Sequence, residues 1–217
     1  SISSGSLPIG LSLNSTTGII SGTPSQSVLS QSVTIKAFNE VSNRSFSLSF
    51  TVLTPISSFS YSQSFYVLSI DESFSVIPTV DGDELSFSIS SGYLPIGLSI
   101  NSTTGIISGT PSQSVKSQSI IIKALNEVSD QSFSLSFTIL QSITSFSYPQ
   151  SSYVLSKNDP VSITPSVNGD ELSFSITSGS LLIGLSLNLS NGMISGIPSQ
   201  FVISQSITIK ASNEVRD

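Results

Sequence analysis

Apolar and polar residues alternate along much of this chain. Ser132-Phe133-Ser134-Leu135-Ser136-Phe137-Thr138-Ile139 is the clearest case. Successive strand side chains point to opposite faces, so Phe133, Leu135, Phe137 and Ile139 form one buried face. Ser132, Ser134, Ser136 and Thr138 form the wet one. Leu85-Ser86-Phe87-Ser88-Ile89-Ser90 repeats the pattern. No segment carries a 3.6-residue period. Strands of roughly 5–9 residues, spaced about a dozen apart, predict an all-β antiparallel sandwich.

Turn residues separate these runs. Asp81-Gly82 and Asn168-Gly169 lie between strand-like segments. They predict type I′ hairpin turns with φ > 0 at both positions. Thr17-Gly18, Thr104-Gly105 and Asn191-Gly192 predict a second hairpin turn. Gly22-Thr23-Pro24 and its equivalents open a longer loop, where proline stops further pairing.

The pattern recurs as a whole. Ser1-Ile2-Ser3-Ser4-Gly5 returns at Ser88–Gly92, and again at Ser175-Ile176-Thr177-Ser178-Gly179. The period is 87 residues both times, without a gap. Positions 1–53 match 88–140 at 44 of 53 places, and 1–43 match 175–217 at 30 of 43. A period this long exceeds a solenoid unit of about 20–45 residues. It suits one small sandwich per repeat. The 217 residues therefore make two and a half copies: 1–54 the C-terminal part of a module, 55–141 a complete module, and 142–217 a module without its last strand.

Comparing copies resolves a strand that is ambiguous alone. Ile120-Ile121-Ile122-Lys123-Ala124-Leu125 is nearly all apolar. Thr34 and Thr208 stand in place of Ile121, and Phe38 and Ser212 in place of Leu125. Positions that accept Thr, Lys and Ser face water. Ile120, Ile122 and Ala124 face the core.

Composition narrows the chemistry. There are 57 serines and 15 threonines, no Cys and no His. Disulfides, thiolate nucleophiles, zinc knuckles, Ser-His-Asp triads and His-based metal sites are excluded. The net charge of −6, with only seven bases, argues against nucleic-acid binding. No apolar run reaches membrane-spanning length, so no membrane insertion is expected in this segment. Nothing places two carboxylates across a cleft, and the expectation is no enzymatic activity.

The stretch Leu94-Pro95-Ile96-Gly97-Leu98-Ser99-Ile100-Asn101-Ser102-Thr103-Thr104-Gly105-Ile106-Ile107-Ser108-Gly109-Thr110-Pro111 carries a family likeness. It resembles the signature of immunoglobulin-type (Ig-like) tandem repeats, relatives of the dystroglycan-type cadherin-like modules. Asp81-Gly82-Asp83-Glu84-Leu85-Ser86-Phe87-Ser88 looks like that family's strand entry, and Ile122-Lys123-Ala124-Leu125-Asn126 like a later strand. The third copy departs, with Leu182 for the proline and Ile197 for a threonine. The resemblance implies tandem Ig-like/cadherin-like sandwiches in extracellular or cell-surface proteins. It implies a structural or adhesive role as stalk, adhesin segment or filament subunit, with a glycan- or protein-binding module as the alternative. The implied partners are other copies in an array or fibre, and glycans or cell-surface proteins.

Two readings account for the incomplete modules: a window from a longer array, or strand donation between successive chains. Head-to-tail donation would supply residues 1–43 where 175–217 already stand, so the window is favoured. An intact native mass near 22.7 kDa would sink it.

Other candidate sites are turns. Asp81, Asp83 and Glu84, then Asn168, Asp170 and Glu171 one copy on, are the residues that could hold calcium, which takes six to eight oxygens. Asp71-Glu72 becomes Asn158-Asp159, and Glu40, Glu127 and Glu214 follow a strand. The denser acidic motifs of cadherin-like relatives are missing, so no cofactor is required and calcium is the one ion considered. The Asn-x-Ser/Thr pattern occurs at Asn14, Asn43, Asn101 and Asn188. About three such patterns arise by chance in a chain this rich in hydroxyls. Three of them are one duplicated position before a turn, which suits an exposed glycan. Phe38, Tyr93 and Phe201 are aromatics found in only one copy each, the candidates for binding through loops.

Overall fold

The computed structural model describes residues 1–215. All regular elements among them are strands, so no helix is long and apolar enough to cross a membrane. The first repeat contributes β1 (Ile2–Gly5), β2 (Leu11–Leu13), β3 (Ile20–Gly22), β4 (Val28–Phe38) and β5 (Asn43–Val52). The middle repeat contributes β6 (Ser58–Ser60), β7 (Phe65–Ser69), β8 (Phe74–Val76), β9 (Thr79–Asp81), β10 (Ser86–Ser91), β11 (Leu98–Ile100), β12 (Ile107–Gly109), β13 (Val115–Leu125) and β14 (Asp130–Leu140). The third contributes β15 (Ser145–Ser147), β16 (Val161–Ile163), β17 (Ser166–Asn168), β18 (Ser173–Gly179), β19 (Leu185–Leu187), β20 (Ile194–Gly196) and β21 (Ile207–Ser212).

The middle repeat packs a four-stranded sheet, β10-β13-β14-β7, against a three-stranded sheet, β11-β12-β8. A two-stranded ribbon, β6-β9, closes one side. The alternation places the predicted faces correctly. Ile120, Ile122, Ala124, Leu135, Phe137 and Ile139 are all buried, and Ile121 is exposed. Phe137 sits between Tyr66, stacked at 5.7 Å, and Phe74, edge-on at 6.1 Å. Phe59 meets Phe87 at 5.7 Å and Phe133 at 6.3 Å. Ring pairs at such spacings add to the burial of apolar area that drives the fold.

Two local expectations are corrected. The sandwich is not wholly antiparallel, because β7 runs parallel to β14 from Phe65↔Ser136 to Ser69↔Leu140. Asp81-Gly82 and Asn168-Gly169 are not type I′ hairpin turns. β9 pairs with β6, while β10 pairs with β13, so the strands flanking Asp81-Gly82 never meet as a ladder. The same holds for β17 and β18. Positive φ falls at Gly82 and Glu84, and at Gly169 and Glu171, but at neither Asp81 nor Asn168. The Asp-Gly pair carries the chain from one sheet to the next. The second predicted turn does close a hairpin: β2 pairs with β3, β11 with β12 and β19 with β20.

The flanking repeats show what the opposing strands do. In the first repeat, β1-β4-β5 has no counterpart of β6–β9 lying over it. Phe46 is 70% exposed, whereas Phe133, 87 positions on, packs against the core. In the third repeat, residues 152–156 form no strand although they match β7 closely. β7 is held by β14, whose counterpart falls past position 217. β21 is shortened for the same reason: only the half paired with β18 stays in a strand.

Candidate functional site

The acidic turns singled out by sequence lie where one repeat joins the next. β5 ends at Val52 and β14 at Leu140, so Thr54 and Gln141 are the linker residues. The Asp83 carboxylate accepts the Thr54 N–H at 2.8 Å. Asp83 N–H in turn faces the Thr54 carbonyl at 3.4 Å. That carbonyl also accepts the Asn126 side-chain amide at 3.0 Å, and the same amide reaches the Asp83 carbonyl at 2.9 Å. Both polar groups of the linker peptide are therefore bound by the repeat that follows.

The second junction repeats this atom for atom. The Asp170 carboxylate accepts the Gln141 N–H at 2.9 Å. Asn213 donates to the carbonyls of Gln141 at 3.0 Å and Asp170 at 3.1 Å. Asn126 is itself fixed because its Oδ1 accepts the N–H groups of Val128 and Ser129. Ser129 Oγ then accepts the Ile56 N–H at 2.7 Å. Asn39 makes the same local turn in the first repeat, with its Oδ1 on the N–H groups of Val41 and Ser42. Among the described residues, no linker lies beside it.

The carboxylate at this position is electrostatically committed. The Thr54 hydroxyl and backbone N–H hold the Asp83 carboxyl below its usual range, partial desolvation opposes them, and the Ser27 hydroxyl of the first repeat adds to the lowering. Asp81 accepts the Ser57 hydroxyl at 2.9 Å. The two junctions differ in more than the exchange of Thr54 for Gln141. Lys116 forms an exposed ion pair with Glu171 across the second. At the first, Leu29 takes the place of Lys116 and lines a shallow hollow with Thr51, Leu53, Glu84 and Glu127.

Among the described residues, no three carboxylates gather into a metal-binding group. Asp81, Asp83 and Glu84 are neighbours in one loop, and Asp170 and Glu171 in the next. Their carboxylates bond to the linker, to Ser57 and to Lys116. The four sequon asparagines are all exposed. Asn14, Asn101 and Asn188 begin the β2–β3 type of hairpin turn, while Asn43 opens β5. Phe38, Tyr93 and Phe201 are exposed too. They fall at three different positions of the repeat and form no shared platform. Sequence reasoning missed Asn126 and Asn213 as junction residues. Asn39, Asn126 and Asn213 are present in every copy, but only the fold brings the latter two to a linker.

The family model described as "Putative Ig domain" matches residues 1–55 and 50–142. No curated protein sequence matches the chain. Among solved structures, an I-band fragment of titin is similar at 14% identity, with a TM-score of 0.54 over 86% of this chain and 70% of that one. Murine CEACAM1b is similar at 12% identity, with a TM-score of 0.51 over 74% of this chain and 93% of that one. Sidekick-1 immunoglobulin domains 1–4 give 12% identity and a TM-score of 0.50, over 96% of this chain and 61% of that one. At such identities the likeness shows the fold alone: tandem Ig-like sandwiches. With the family model covering more than half of the residues, this chain belongs to the Ig-domain family.

Proposed function

We propose that this chain is a stiff, non-catalytic stretch of an extracellular or cell-surface array, serving as a stalk, adhesin segment or filament. The observation that carries the reading is the doubly bound linker. Thr54 and Gln141 each have both backbone groups held by the following repeat, so no free peptide remains to act as a swivel. A flexible linker would need solvated, unpaired backbone. The linkers also support module boundaries at 54/55 and 141/142. Serine-faced strands suit a neutral wet surface along such an array. The acidic loops are read as linker clamps that need no calcium.

The absence of native cysteine makes a spectroscopic test direct. Ser15→Cys and Ser102→Cys place one spin label on the same turn of adjacent repeats. The expected distance distribution is narrow, and identical in EDTA and in millimolar calcium. Adding Asp83→Ala and Asn126→Ala should broaden it. A broad distribution in the unmutated junction would refute the stiff-array reading. Narrowing by calcium would restore the acidic loops as an ion site.

A further inference from the structure

The duplicated asparagine before each hairpin turn is the one motif that the junction leaves unexplained. In the middle repeat, the Asn101 N–H donates to the Ile106 carbonyl at 2.9 Å, and its carbonyl accepts the Gly105 N–H at 2.8 Å. Its side-chain Oδ1 accepts the N–H groups of Thr103 at 2.9 Å and Thr104 at 3.0 Å. Asn14 does the same with Ile19, Gly18, Thr16 and Thr17. Asn188 does so with Met193, Gly192, Ser190 and Asn191, and the Ser190 hydroxyl also donates to its Oδ1 at 2.8 Å. In each case the turn uses every polar atom of the asparagine except Nδ2. That nitrogen has no partner among the described residues and lies on an exposed residue.

We infer that Asn14, Asn101 and Asn188 are acceptors for N-linked oligosaccharide, one per repeat, and that Asn43 is a poor one. The inference rests on the extracellular reading of the array. A sequon serves as an acceptor where it lies on an exposed surface loop. The hairpin turn presents it so: the residue two positions on donates its backbone N–H to Oδ1, and Ser190 adds its hydroxyl. Asn43 differs because it opens β5, with Asn43 facing Phe38 and Ser45 facing Lys36 in the ladder. Asn43 and Ser45 are therefore set by strand pairing and not by an exposed turn. The Asn43 carbonyl is also bound by the Arg44 guanidinium at 2.9 Å.

The chemistry consumes a polyprenyl-pyrophosphate-linked oligosaccharide. Nδ2 forms a bond to the anomeric carbon of the first sugar. The bond from that carbon to the pyrophosphate oxygen breaks, the lipid pyrophosphate departs with the electron pair, and one amide proton is lost to base. Oδ1 stays in its turn, so the glycan adds without dismantling the hairpin. The 87-residue period then sets one glycan at the same place on each repeat.

The test is secretion of the 217-residue chain from a eukaryotic host behind a cleavable leader, with site occupancy read by peptide mass spectrometry after enzymatic release. The expected result is occupancy at Asn14, Asn101 and Asn188 and markedly less at Asn43. Thr16→Ala, Thr103→Ala and Ser190→Ala should each remove one glycan while leaving the asparagine to cap its turn. Circular dichroism of the secreted and the bacterially made chain should coincide. A secreted chain bare at all three positions overturns the proposal, as does Asn43 occupied to the same extent. A chain that gives a narrow spin-label distribution yet stays bare fails here alone, leaving the stiff-array reading intact.

Discussion

Replacing Asn126 by alanine separates the linker clamp from the local turn. Asn126 is 9% exposed and donates to Thr54 and Asp83 across the junction while its Oδ1 holds the following turn. Asn39 makes only the turn bonds. The difference between the two substitutions is therefore chiefly the worth of two donor bonds, with the Ser129 hydroxyl on Oδ1 at 3.2 Å as a smaller addition. A hydrogen bond contributes about 0.5–1.5 kcal/mol net, so Asn126→Ala should cost about 1–3 kcal/mol more than Asn39→Ala. In urea that is a midpoint lower by roughly 1–2 M for a domain of this size. The five tyrosines all lie outside the first repeat, and Tyr61 and Tyr66 are in the middle core, so tyrosine emission follows the Asn126 variant. Far-ultraviolet circular dichroism follows both. Asn126→Asp should do more harm than alanine at neutral pH, because it keeps the turn acceptor but aims an anion at two carbonyls. Asn39→Asp should be nearly silent. Equal losses for Asn126→Ala and Asn39→Ala would refute the clamp, since the linker bonds would then add nothing.

Two further outcomes follow from the same geometry. Asp83 has a folded-state pKa below its unfolded value, so the unfolded chain binds the proton more readily. Its contribution is present above the unfolded value of about 3.9 and is lost as pH falls through the folded one. The middle repeat should therefore lose stability as pH falls below about 3.9 and through the folded value, and Asp83→Asn should be less stable at pH 7 yet converge with the unmutated chain in acid. A constant gap at every pH would remove Asp83 from the account. Gly105→Ala and Gly18→Ala test one duplicated turn in two settings. Both residues have positive φ, near 70°. A Cβ on Gly105 would meet the Phe87 ring at 2.8 Å, whereas at Gly18 it meets nothing within 4 Å. Backbone strain of about 1–2 kcal/mol is common to both, and overpacking adds about 1–3 kcal/mol at Gly105 alone. Matching losses in thermal unfolding would contradict the packing drawn from the structure.

The alternating pattern and the period carried most of the fold because they rest on local geometry. A strand turns successive side chains to opposite faces whatever surrounds it, so Phe137 and Ile139 could be assigned inward from sequence. Three copies of one strand even settled Ile122 against Ile121. The junction was less legible. Asp83 and Asp170 were picked out for their charge, but what they bind is a backbone N–H 29 residues away, and peptide groups leave no mark on sequence. Asn126 stood only as the last residue of the strand motif Ile122-Lys123-Ala124-Leu125-Asn126.

Sequence by itself determined the repeat, its alternating runs, their inward faces and the chemistries excluded by missing Cys and His. Only tertiary structure decided which copies of a given residue are buried and which segments become strands. Phe46 and Phe133 have the same neighbours in sequence, yet one is exposed and the other packs in a core, because burial needs the opposing layer. Residues 65–69 form β7 and residues 152–156 form nothing regular, because a short strand is held by hydrogen bonds to a partner far along the chain. Local pattern proposes a strand, and the distant partner that satisfies its backbone makes it one.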